Sequence, residues 1–336
     1  MTATRIRRVP SVWDRPDLQF SAALETDWYR QVAQAYGLFY FTSVDFFRSC
    51  GCVPALVPIT TGSISSPMGL GSDSEPVEIM LHGRRTYLAD SMQFALEYYL
   101  RQNHPGAFYI MPSFRGEASD ARHLNQFYHS EAEIVGGLDE VMSFVEAYLL
   151  ALCRAMLDGV EGVSRKRLET YLTQGAPICM EVEDAVARLG NEAPFVQEAT
   201  NGEPLISAAG EQELLRRSGR EAIWLMHPSR TTTPFYQAAC PDLPDRAQAA
   251  DLLLGIGETV GCGERHATEQ AVRATLELQR VSAEPYDWYL RLKREHPLRT
   301  AGFGLGVERF LLWALEHDDI RDVHPVPRLK EGPWPL

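Results

Sequence analysis

Gly302-Phe303-Gly304-Leu305-Gly306-Val307-Glu308-Arg309 decides how this chain is read. Glycine at every second position lets backbone come close to a ligand or to another strand. Phe310, Leu311, Leu312, Trp313, Ala314 and Leu315 follow at once and predict a mostly buried helix starting near Val307. Arg309 falls in its first turn, three and four residues from Leu312 and Trp313. A guanidinium there cannot lose its charge and needs an anionic partner. An internal carboxylate is one candidate. A polyphosphate is the other, and the rest of the chain favours it.

The 336 residues accommodate one large core, or one core with a smaller insert. Hydrophobic content of 45% and charged content of 23% are those of an ordinary globular protein. No apolar run approaches the ~20 residues that a bilayer crossing needs, so no membrane partner is expected. Arg5, Arg7 and Arg8 lack the apolar stretch that would complete a secretory signal. A formal net charge of −13 opposes non-specific nucleic-acid binding, although it leaves room for a local basic patch. Cys50, Cys52, Cys153, Cys179, Cys240 and Cys262 show no paired CxxC spacing. They read as reduced, mostly buried thiols of a cytoplasmic protein rather than as a zinc site.

With no repeat and no low-complexity linker, residues 1–336 are expected to form one continuous domain. A helix is predicted over 20–49, an edge strand over Cys52–Ile59, and a Gly/Ser/Pro-rich loop over 60–76. Tyr87–Arg101 passes from a strand end into a helix, Phe108–Ile134 forms two strands around a polar loop, and Leu138–Leu157 is a long amphipathic helix. A helical insert is expected over about 160–220, and strands return over Ile223–Arg265. Strands not strictly alternating with helices predict an α+β fold with an antiparallel sheet.

Period-two reading puts Arg115 and Glu117 on one strand face and Phe127, His129, Glu131 and Glu133 on one face of the next. Tyr128, Ser130 and Ala132, on the opposite face, would make a poor core alone. The polar face is therefore expected to be a pocket floor rather than a solvated surface, with Arg122 and His123 added from the loop. Asp251 and Glu258 stand either side of a Gly255/Gly257 turn, where they suit Mg²⁺ or are two solvated turn acids. Arg265, after Gly261 and Gly263, could hold a carboxylate bidentately. Ser91 and Gln93 could hydrogen-bond a substrate amine or carboxylate, and Ser91 could equally cap a helix. No strand–GxGxxG–helix unit, GxSxG, HExxH or P-loop is present.

Taken in order, these segments resemble the three signature motifs of class II aminoacyl-tRNA synthetases, closest to the asparaginyl/aspartyl branch. Phe114-Arg115-x-Glu117, Arg122-His123-Leu124-x-x-Phe127 and Glu131-Ala132-Glu133 resemble motif 2. Gly302–Arg309, continuing to Asp319-Ile320-Arg321-Asp322-Val323-His324-Pro325, resembles motif 3, and Pro58 would end motif 1. The resemblance implies an antiparallel sheet flanked by helices, use of ATP and Mg²⁺, and a homodimer through the motif 1 helix. It also implies roles. Arg115 would bind the α-phosphate, and Glu117 would read the adenine amino group, with the ring between Phe127 and Arg309. His123 and Arg309 would face the outer phosphates, Arg122 would join the ATP site, and Asp251 and Glu258 would face the metal. Ser91, Gln93, His129, Glu131 and Arg265 would surround the amino-acid substrate, Glu131 where the asparaginyl enzymes face a side-chain amide. Adenylation is an in-line displacement governed by positioning and fixed positive charge, so no covalent nucleophile is needed.

Only residues 1–25 precede the motif 1 helix, too few for the family's anticodon-binding barrel. With the acidic charge, this predicts that tRNA is an unlikely partner. The expected function is an AMP-forming, asparagine synthetase-like ligase that adenylates a small-molecule or peptide carboxylate. Ammonia or an amine then takes the acyl group to give an amide, possibly on to a nitrile. A truncated synthetase acylating a tRNA or protein is the alternative, and a non-catalytic regulatory paralogue a third reading.

Overall fold

The structure is a computed structural model that describes residue 13 and residues 15–66, 75–199 and 202–331. Part of the expected 60–76 loop and residues 1–10 with their three arginines lie outside the described residues.

An eight-stranded sheet organises the chain. Its strands are β1 (Cys52–Pro54), β2 (Gly106–Phe114), β3 (Gln126–Val135), β4 (Ile178–Glu181), β5 (Ala222–Met226), β6 (Ala249–Leu254), β7 (Gly257–Glu264) and β8 (Thr300–Gly306). They lie in the order β1-β2-β3-β8-β7-β6-β5-β4. Only the outer pairs, β1 with β2 and β5 with β4, are parallel; the six inner strands pair antiparallel, as an α+β fold requires. Cys52–Pro54 is indeed at an edge, where Pro54 disturbs no inner ladder.

One face of the sheet is covered by the long helices α1 (Asp27–Ser49) and α3 (Leu138–Gly159) and by α5 (Val307–Ala314). Phe47 of α1 stacks within 4.5 Å of Phe108 and 4.8 Å of Tyr148, and Phe39 lies 5.7 Å from Phe310. Tyr148 also meets Ser130 Oγ at 2.9 Å, which is how β3 satisfies a hydroxyl on its core face. The polar character of Tyr128-Ser130-Ala132 therefore does not exclude a core.

Two expectations are corrected. The helix predicted over 20–49 is broken at Thr26 into Gln19–Glu25 and α1, because Thr26 is extended (φ −108°, ψ 140°). The stretch 160–220 is not simply helical. It holds helices Arg165–Thr173, Val182–Leu189 and Ala208–Ser218, strand β4 of the main sheet, and the hairpin Val196–Glu198/Pro204–Ile206. Of the remaining helices, Gln93–Leu100 is called α2 and Ala208–Ser218 α4 below. No helix among the described residues is long and apolar enough to cross a membrane.

Candidate active site

The face of the sheet opposite α1 and α3 is built by register. Glu131 on β3 is the Cα partner of Gly304, Gly304 of Gly261, and Gly261 of Asp251. One step along, Glu133, Gly302, Gly263 and Ala249 form a second row. Partners share a face, so glycines line the middle strands between acidic side chains on β3 and β6. A Cβ on Gly302 would stand 2.2 Å from Glu133 Oε1 and one on Gly304 3.4 Å from Glu131 Oε1. The alternating glycines of 302–306 thus make room for buried carboxylates.

Glu258 reaches this face through a bulge. Leu252 pairs with Val260, yet Leu253 pairs with Glu258, so Thr259 is the extra residue. The insertion turns Glu258 to the side carrying Asp251. Asp251 Oδ1 and Glu258 Oε1 both converge on Gly261, 3.4 and 3.3 Å from its would-be Cβ. Burial, then the charges of Glu258 and Glu211, push the Asp251 carboxyl well above its ordinary range. No donor pairs with Asp251 among the described residues. A pair of crowded acids in which Asp251 has no counter-ion among the described residues and Glu258 only Arg309, at 4.0 Å, fits a dication whose remaining ligands come from a bound phosphate chain.

Two cavities of about 460 Å³ each open on the sheet. The first is lined by Glu117, Arg122, His123, Phe127 and Arg309, the second by Ser91, Gln93, Glu131, Asp251 and Arg265. Arg115, His129, Glu258 and Gly304 line both, so the cavities meet there. Thirteen of the residues singled out from the sequence thus border one of two joined spaces, while Glu133, expected on the same pocket floor, is buried and lines neither.

Local geometry refines the picture. Arg115 and Glu117 are not on a strand face, because β2 ends at Phe114; they lie in the loop beyond it. Arg115 N–H still donates to Asn125 O at 3.0 Å, which prolongs the ladder by one rung. Its guanidinium sits 5.8 Å from the Phe127 ring, with buried Nε unpartnered and no carboxylate bound to it among the described residues. Arg309 donates to the Glu258 carbonyl and lies 4.0 Å from the Glu258 carboxylate. Glu117 accepts the Glu75 N–H at 3.2 Å. His123, at the exposed rim, pairs with Asp120 at 2.9 Å.

In the second cavity Glu131 is buried beneath three donors: Ser91 Oγ at 2.6 Å, His129 Nδ1 at 2.9 Å, and the Tyr109 hydroxyl. Burial raises its carboxyl, but His129 above all, with Ser91 and Tyr109, outweighs burial and holds it below the usual range. Ser91 Oγ also accepts the Gln93 N–H at 3.1 Å, so it serves the start of α2 and the pocket together. Gln93 is only 3% exposed, and neither end of its amide has a partner among the described residues. Arg265 is not free: Nε and Nη2 lie 2.8 and 2.6 Å from Glu133 Oε1.

Sequence reasoning missed Glu211 of α4. Its carboxylate accepts the Glu258 N–H at 3.1 Å and lies 3.6 Å from Arg122 Nη2. Burial, then the neighbouring Glu258, pushes its pKa up to about 7. The only signal was Gly257, at φ +133°, where a Cβ would stand 2.0 Å from Glu211 Oε2.

The family model for class II tRNA synthetases of the D, K and N type matches residues 45–330. The chain belongs to that family, a family of ATP-dependent ligases. The asparagine–tRNA ligase of Lactobacillus johnsonii is 26% identical over 308 residues, covering 89% of this chain and 68% of that protein. Asparaginyl-tRNA synthetase of Pyrococcus horikoshii complexed with asparaginyl-adenylate superposes with a TM-score of 0.83 at 22% identity, covering 98% of this chain and 76% of that one. The Entamoeba histolytica asparaginyl-tRNA synthetase gives 0.80 at 22% identity, covering 98% and 74%. These likenesses fix the fold.

The relatives overturn the expected amide ligase using ammonia or an amine, and with it the reading of tRNA as an unlikely partner. That reading rested on net charge and on where the chain starts. Net charge is a sum over the whole surface, while an acceptor meets one local patch. Carboxylate adenylation is common to both chemistries, so the adenylation residues could not separate them.

Proposed function

We propose that this chain activates an amino acid of the asparagine type as its adenylate and passes the acyl group to tRNA. The observation that carries the reading is the meeting of two cavities at Arg115, His129, Glu258 and Gly304. A nucleotide in one and an amino acid in the other would bring their reacting atoms together there. ATP would lie with adenine between Phe127 and Arg309, its amino group donating to Glu117 and its outer phosphates toward Arg122, His123 and Arg309. The substrate carboxylate attacks the α-phosphorus, the bond to the bridging oxygen breaks, and pyrophosphate leaves. Arg115 compensates the charge that builds on the α-phosphate oxygens. Asp251 and Glu258 would hold Mg²⁺, which supplies charge neutralisation for the phosphates. A terminal ribose hydroxyl then attacks the acyl carbon and AMP departs.

The side-chain end of the second cavity favours an amide. An ionised Glu131 accepts from a substrate NH₂ group and repels a carboxylate, while Ser91 and Gln93 offer polar contacts. Charging of unfractionated tRNA with radiolabelled asparagine tests the reading. ATP-dependent, ribonuclease-sensitive label in the acid precipitate is expected. Release of free amide from aspartate and ammonium, with tRNA left uncharged, would contradict it.

A further inference from the structure

Arg265 is held on two sides, by Glu133 and by Gln237. Opposite Glu133, its Nη1 donates to Gln237 Oε1 at 2.8 Å. Gln237 comes from the irregular segment between β5 and β6, and its backbone bridges antiparallel to that of Arg265. Its side chain is 8% exposed and lines the second cavity. Gly263 makes the approach possible, since a Cβ there would stand 2.3 Å from Gln237 Oε1. Gln237 Nε2 makes no hydrogen bond among the described residues. One end of this amide thus engages the guanidinium and the other is open to a ligand.

We propose that Gln237 is a specificity-determining residue that makes the pocket select a neutral amide side chain over a carboxylate. The proposal rests on the amino-acid-activating reading above. The charge of Arg265 is already met by Glu133, and Glu131 adds a second negative group to the same cavity. A substrate carboxylate would have to draw Arg265 away from these partners. Gln237 opposes that by occupying Nη1, which leaves a single hydrogen-bonding fork rather than a free cation for the substrate oxygen. Its own Nε2 is a further neutral donor for an amide carbonyl.

The test is amino-acid-dependent ATP–pyrophosphate exchange, comparing kcat/KM for asparagine with that for aspartate. Gln237→Leu removes both ends of the amide at similar volume, and it should lower the asparagine:aspartate ratio about tenfold, the worth of one charge-assisted hydrogen bond. Gln237→Glu keeps the shape and adds negative charge, so the ratio should rise. Opposite movement of the two variants, each with an unchanged thermal melt, supports the proposal. Should Gln237→Leu fail to fold, the Gln237→Glu ratio decides alone. Ratios within about twofold of the unsubstituted chain would overturn the role of Gln237 and leave the activating reading standing. Exchange with neither amino acid in the unsubstituted chain would overturn both.

Discussion

Glu131 lies across the sheet from Gly304, its carboxylate 3.4 Å from where a side chain on that glycine would begin. The same relation, tighter, joins Glu133 to Gly302. Glycine spacing on β8 and acid spacing on β3 are one device, in which one strand gives up side chains so that the other can bury carboxylates beside a cavity.

Gly302→Ala should therefore be costly away from any ligand. Its methyl would meet Glu133 Oε1 at 2.2 Å and the Ala132 carbonyl oxygen at 2.7 Å, one of them backbone that cannot swing aside. A loss of about 1–3 kcal/mol is expected from chemical denaturation. Gly62→Ala, with nothing within 4 Å of its would-be Cβ, is the control.

Arg115 and Arg265 should respond differently to truncation. Arg115 has no acidic partner among the described residues, so Arg115→Ala should keep its unfolding temperature while adenylate formation falls by about 10²–10³ in kcat. Arg265→Ala strands the buried Glu133 carboxylate and should cost about 3–5 kcal/mol of stability. Calorimetry beside pyrophosphate exchange separates them; normal exchange by Arg115→Ala would remove that residue from the mechanism.

Gln93 buries both amide atoms without a partner among the described residues, a cost that folding alone does not explain. Gln93→Leu should leave stability unchanged or raise it by about 1 kcal/mol, while KM for the amino acid rises. A stability loss with KM unchanged would make Gln93 a packing residue.

Glu308 gives a pH signature. Buried and accepting the Tyr36 hydroxyl at 2.9 Å and the Tyr128 N–H, it has its pKa pushed up to about 7, chiefly by burial. The folded state therefore holds this proton more tightly than the unfolded chain. Its contribution is fully present below the ordinary carboxyl range and is lost as pH rises through about 7. Glu308→Gln, which still accepts both bonds, should flatten the decline in stability between pH 4.5 and 7 by on the order of 3 kcal/mol. Parallel curves for the two proteins would show that Glu308 is ionised throughout.

The hairpin Phe108–Ile134, the helix at Val307 and the pocket face of β3 were legible because period-two and period-3.6 patterns run through them without interruption. The pairing of Asp251 with Glu258 was legible as a pair of acids about a glycine turn, but not its cause. A bulge at Thr259 leaves no mark in a sequence until the partner strand's register is known. Glu211 and Gln237 escaped because each belongs to a stretch without periodicity and acts through a partner distant in the chain. The strands within 160–220 were hidden for a related reason: β4 is largely exposed at the sheet edge, so burial imposes little pattern on it.

The central claim is that the two cavities hold the halves of one aminoacyl adenylate with Arg115 at their junction. A crystal structure with the non-hydrolysable asparaginyl sulfamoyl-adenosine tests it most directly. The account predicts adenine against Phe127, the amino-acid side chain between Glu131 and Arg265, and the Arg115 guanidinium on the sulfamoyl oxygens. An analogue bound with Arg115 turned away from the sulfamoyl group, or seated outside these cavities, would contradict it.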